Sequence, residues 1–127
     1  MDMTFRACMT LAALSGFIAV AAGAFGAHGV TDPQAKAWLG TGAQYQLIHA
    51  LAVFACFVLW RQAAGAAQAA AWLFLAGGFI FSVTLYAMAF GAPRILGAVT
   101  PIGGLLLLAG WLVLAWTAYR GTRSTIV

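Results

Sequence analysis

The residues of this chain best able to do chemistry sit in one short piece, Gln44-Tyr45-Gln46-Leu47-Ile48-His49. At helical spacing Tyr45, His49, Ala52 and Cys56 fall four, three and four apart, with Gln46 three before His49, so they share one face. An imidazole titrates near neutral pH and can relay a proton or ligate a metal. Unpaired polar groups facing hydrocarbon are costly, so this face must look into the protein or a wet cavity. One reading is therefore a small polar pocket of His28, Gln44, Tyr45, Gln46 and His49, joined by Ser82, Tyr86 or Thr100 from later in the chain. The plainer reading is an interhelical lock, in which His49 donates one hydrogen bond to Tyr86 or to a backbone carbonyl of a neighbouring helix. Such bonds contribute only about 0.6–2 kcal/mol each, yet they choose partner and register.

Other chemistries find little support. His28 and His49 make a poor metal set, because no third ligand stands at a recognisable spacing. A zinc or haem reading requires the two rings to converge, with nitrogens about 2.0–2.1 Å from a zinc ion. No metal and no cofactor is expected. Cys8 and Cys56 fall within apolar runs, with no CxxC, and read as buried small hydrophobes. A Ser/His/Asp set can be built only by borrowing Asp32 from a loop, and no Gly-rich loop follows a strand. Gly103-Gly104 lies beside Pro101 in an apolar run and reads as close helix packing. No acid lies within an apolar run, which weighs against an ion-coupled carrier. No catalytic residue is assigned, and a non-enzymatic protein is expected.

The elements that must position these residues follow from composition. Of 127 residues 65% are hydrophobic and 6% charged, too few polar groups to cover a water-soluble domain of this size. The chain reads as an all-α integral membrane bundle of four transmembrane helices, forming one domain. The net charge of +4 comes from bases scattered singly at the ends of apolar runs, so the partner is the lipid bilayer and not nucleic acid.

The first span is expected at residues 7–26. Arg6 before it and Ala22-Gly23-Ala24 near its end imitate a signal peptide, but the run is longer than a signal core and reads as a retained helix. Cys8, Ala12, Ser15, Ala19, Ala22 and Gly26 give it one small face that lets another helix approach. Asp32-Pro33 is a strong helix start, followed by a short interfacial helix at 33–39 with Trp38 as anchor. Gly40 and Gly42 suggest a break before the second span at 43–60. An unbroken helix from Pro33 to Trp60 would be about 42 Å long and would overhang the hydrocarbon.

An Ala/Gly/Gln linker at 62–69 leads to the third span, 70–90, where Gly78, Ser82 and Tyr86 share a face. Gly91-Ala92-Pro93-Arg94 is a turn, with Arg94 a head-group anchor. The fourth span is expected at 95–119, kinked near Gly97–Pro101, with a polar tail at Gly121-Thr122-Arg123-Ser124. Gly78, Gly97, Pro101 and Gly104 are the later positions for helix packing. Four spans put both termini on the same side. That side carries Arg6, Arg61, Arg120 and Arg123 against Lys36 and Arg94 opposite, which predicts cytoplasmic termini. The matching pieces Ala24-Phe25-Gly26-Ala27 and Ala89-Phe90-Gly91-Ala92 raise the question of a duplicated hairpin.

Several motifs together resemble a known family. Gly23-Ala24-Phe25-Gly26-Ala27-His28, Gln44-Tyr45-Gln46 with His49-Ala50-Leu51, Phe81-Ser82 with Leu85-Tyr86, and Thr100-Pro101-Ile102-Gly103-Gly104 with Gly110-Trp111 are similar to those of the YgdD-type small membrane proteins. The resemblance runs through all four spans in order. It implies a four-helix protein of a bacterial inner membrane and supplies no catalytic residues. The expected function is a non-enzymatic bundle that forms a homo-oligomer or binds a membrane-protein partner through its small faces. The alternatives are a small-solute or proton pathway at His49 and metal or haem binding by His28 and His49.

Overall fold

A computed structural model describes residues 2–123, and Ser124, the end of the expected polar tail, lies outside them. Its elements are α1 (Met3–His28), α2 (Pro33–Trp60), α3 (Ala64–Ala89), a short 3-10 turn (Arg94–Ala98) and α4 (Thr100–Arg123). There are four stretches long and apolar enough to cross a membrane, the last being the 3-10 turn continued into α4, and the described residues contain no strand. The chain is an all-α membrane bundle.

Each helix begins where local chemistry starts it. Asp2 caps α1, its carboxylate accepting from the Thr4 amide at 3.2 Å. Asp32 caps α2, accepting from the Ala35 amide at 2.9 Å, and Pro33 follows where no amide hydrogen is needed. Gly91 turns the chain after α3 with a φ of 100°, in the left-handed region a side chain rarely enters.

Three boundaries differ from those expected. α2 runs unbroken through Gly40 and Gly42, so there is no separate helix at 33–39 and the longer alternative holds. Tertiary contacts outweigh the weak helix preference of glycine: Ser82 Oγ donates to the Gly42 carbonyl at 2.9 Å, and Leu39 packs into the space left by Gly26. The Ala-rich linker is mostly helix, because α3 already begins at Ala64 and alanine is the best helix former. The fourth span is divided at Val99 instead of kinked within one helix. Pro101 lies in the first turn of α4, where a missing amide hydrogen costs nothing.

The helices alternate in direction. Phe5 and Trp60 meet at one end of the bundle with ring centroids 5.4 Å apart, and Gln62 approaches Gly121 there. At the other end Phe25 stacks on Phe90 at 5.7 Å and Arg94 lies over the Trp38 ring. Both described ends of the chain therefore stand on the same side. α2 and α3 form the central pair. α1 lies against α2 and α4 against α3, while the backbones of α1 and α4 do not approach each other closely. Cys8, Ala12, Val53, Cys56, Ala70, Ala71 and Phe74 are the heart of the core. A duplicated hairpin closing on itself would set α4 against α1 as α3 sits against α2, an equivalence this open arrangement lacks.

Candidate functional site

α2 presents its polar residues one turn after another to α3 and α4. At the first level Ser82, fully buried, donates from its hydroxyl to the Gly42 carbonyl. Gly42 is required here, because a Cβ on it would lie 2.6 Å from Cε1 of Tyr86. At the second level the Tyr86 hydroxyl donates to Gln46 Oε1 at 2.7 Å. At the third, His49 is held through both ring nitrogens. Trp111 Nε1–H on α4 donates to His49 Nε2 at 3.0 Å, and Nδ1 lies 2.6 Å from the Tyr45 carbonyl. An indole nitrogen can only donate, so Nε2 is the acceptor and the ring proton sits on Nδ1, which donates to Tyr45. The imidazole is the neutral Nδ1–H tautomer.

Aromatic rings pack around this imidazole. Tyr45 stacks between His49 and Phe81, with centroids at 5.9 and 4.4 Å. Trp111 and Phe74 meet His49 at 5.8 and 5.7 Å and each other edge-on at 5.0 Å. Because α2 and α4 both lean on α3 but barely reach each other, a groove of about 660 Å³ lies between them. Gln44, Tyr45, Ile48 and His49 form one wall, Pro101, Gly104, Leu105, Leu108 and Trp111 the other, and Phe81 the floor. It is overwhelmingly apolar.

The expected pocket residues thus divide. Gln46, Ser82 and Tyr86 meet, while His49 joins Trp111 instead of Tyr86. Gln44 and Tyr45 are exposed on the groove wall. Thr100 belongs elsewhere, its hydroxyl 2.7 Å from that of Thr84 in a separate α3–α4 contact. His28 is exposed at the end of α1, and no described hydrogen bond brings it to the site. Among the described residues no three His, Cys, Asp or Glu side chains cluster as metal ligands.

The small positions pack within the chain. Ala19 and Gly26 are buried, Ser15 and Ala22 half-buried, Gly78 lies behind His49, Gly97 beside the Met88 sulfur and Gly104 beside Phe81. Pro101 is exposed instead of packed. The tightest helix crossing involves Gly77 and Gly103, where a Cβ on Gly103 would come within 2.5 Å of the Phe81 amide nitrogen. Sequence reasoning passed over Trp111 as a site residue. The signal was its place midway along α4, far from the interface where tryptophan usually anchors, with an indole N–H that needs an acceptor in hydrocarbon.

Comparison with known proteins adds the family. The family described as a protein of unknown function, DUF423, matches residues 22–104, which takes in α2, α3 and the start of α4. A UPF0382 membrane protein of Haemophilus influenzae is 41% identical over 115 residues, 88% of this chain and 93% of the relative. The UPF0382 inner membrane protein YgdD of Escherichia coli K12 is 38% identical over 128 residues, 98% of each chain. The UPF0382 membrane protein YwdK of Bacillus subtilis is 36% identical over 116 residues, 87% of this chain and 94% of the relative. No solved structure matches. With relatives this similar along nearly its whole length, the chain belongs to the DUF423 family, also called UPF0382, of small membrane proteins whose function is unknown.

Proposed function

We propose that this protein is a non-enzymatic inner-membrane bundle that docks a transmembrane helix of a membrane partner in the groove between α2 and α4. One observation carries the reading: the groove beside His49 is long, apolar and open along its side in the hydrocarbon zone. From Pro101 to Trp111 it follows about 15 Å of α4, nearly three helical turns. Gly104 keeps its wall low, the small-residue device by which helices approach in lipid. The small face of α1 offers no rival surface, since Cys8, Ala12, Ala19 and Gly26 are spent against α2 and the core.

The polar register of α2 is the lock that keeps this groove in shape. Gly42 and Gln46 fasten α2 to α3, and His49 fastens it to α4. A proton or solute pathway is less well supported, because both nitrogens of His49 are engaged and the groove walls are apolar. The acids Asp2 and Asp32 cap helices at the ends of the bundle, leaving no carboxylate beside His49 for acid–base work. The inner-membrane location is supported by the name of the Escherichia coli relative.

Photo-crosslinking in native membranes tests the reading. A benzophenone side chain at Leu108 or Ile48, on the groove, should give a discrete protein adduct, and one at Val20 on α1 should not. Lipid adducts alone at all three positions would overturn it.

A further inference from the structure

A second groove lies across the bundle, between α1 and α3. Its walls are Leu11, Leu14 and Ile18 of α1 and Trp72, Leu75, Ala76 and Phe79 of α3. Two polar side chains open into it, Ser15 from α1 and Gln46 from α2. Gln46 is only 4% exposed. Its Oε1 accepts from Tyr86, but no described hydrogen bond uses its two amide hydrogens. No fully buried polar atom lacks a partner among the described residues, so this amide opens on the groove and is not sealed in. The Ser15 hydroxyl likewise has no described partner, although a helical serine commonly bonds back to its own helix. A donor left unpaired in hydrocarbon is costly, and here two such side chains line one apolar slot.

Depth decides what can satisfy them. Ser15 stands midway along α1, Gln46 midway along α2 and Ala76 midway along α3, so the groove straddles the centre of the bilayer. The ester carbonyls of a glycerolipid lie near the edge of the hydrocarbon, about 15 Å away. The hydrocarbon core of a bilayer supplies no water to satisfy such groups. The acceptor must arrive on a molecule otherwise at home in hydrocarbon. The remaining walls ask for a flat ring, because Trp72 and Phe79 stand seven residues apart on one face of α3 with the small Ala76 between them. The slot has room for one, at about 420 Å³, within the roughly 300–1,000 Å³ of small-molecule sites.

We propose that the α1–α3 groove binds a lipid-soluble quinone, with the Gln46 amide and the Ser15 hydroxyl donating to a ring carbonyl. The ring lies between Trp72 and Phe79, and the tail leaves sideways into lipid past the exposed Leu14 and Ile18. The site is separate from the α2–α4 groove, so it stands or falls independently of partner docking.

The test uses the full chain in lipid nanodiscs and a benzoquinone carrying a ten-carbon tail, followed by quenching of tryptophan fluorescence. The expected result is a saturable component that is lost in Trp72→Phe and Gln46→Leu. Ser15→Ala should weaken it about fivefold, the worth of one neutral hydrogen bond. Tyr86→Phe breaks the same interhelical bond as Gln46→Leu but leaves the amide in place, so it should keep the saturable component. Decylbenzene, with ring and tail but no carbonyl, should not compete. Quenching that never saturates, that survives in Gln46→Leu, or that decylbenzene abolishes would overturn the proposal. Should Gln46→Leu fail to fold, an unchanged affinity in Ser15→Ala overturns it alone.

Discussion

His49 illustrates how one residue can look like a reactive group and be held as a structural one. Its Nε2 accepts from the Trp111 indole N–H, and its Nδ1–H closes back on its own helix. Replacing Trp111 with Phe keeps a ring in the groove wall but leaves Nε2 unpaired. A loss of about 1–2 kcal/mol is expected in denaturing-detergent titrations. A double-mutant cycle between Trp111→Phe and His49→Leu should return a coupling of about 0.6–2 kcal/mol, and additive effects would deny the bond any energetic weight. Gly42 makes a sharper demand, since a methyl group there drives into the Tyr86 ring. Gly42→Ala should cost about 1–3 kcal/mol and release Tyr86 from Gln46, visible as altered tyrosine ultraviolet absorption.

At the scale of elements, glycines of similar appearance do opposite things. Gly103 and Gly77 let α3 and α4 cross at backbone contact, whereas Gly40 is helical with nothing within 4 Å of the place a Cβ would take. Gly103→Ala must push backbone against backbone, so a loss of about 3 kcal/mol or failure to accumulate is expected. Its neighbour Gly104, with the Phe81 ring 3.9 Å away, should accept alanine at a cost below about 1 kcal/mol. Gly40→Ala should stabilise by about 0.5–1 kcal/mol through the better helix propensity of alanine. Thermal or detergent unfolding of the three variants orders them directly. If Gly40→Ala destabilised, α2 would not be a continuous helix there.

For the molecule as a whole, the open order α1–α2–α3–α4, with its first and last helices apart, creates the two lateral grooves. The bias of Arg6, Arg61 and Arg120 toward one end predicts that this end faces the cytoplasm. Reporters fused at both termini should score as cytoplasmic, and one inserted at Val30–Thr31 as external; the reverse pattern would invert the bundle. Much of this was legible in the residues alone. Twenty-residue apolar runs can only be spans, because every backbone polar group in lipid must be satisfied within its own helix. Asp32-Pro33 dictated a helix start for equally local reasons. The polar stretch around His49 had to find partners inside the protein, because an unpaired polar group in hydrocarbon is costly. Tertiary structure alone decided who those partners were. Trp111 reaches His49 across 62 positions, Thr100 turns to Thr84, and Gly42 stays helical because Ser82 and Tyr86 press on it. Spans are set by solvent, which acts on each residue separately, whereas pairings and grooves depend on which helix faces meet, and no single stretch of sequence carries that.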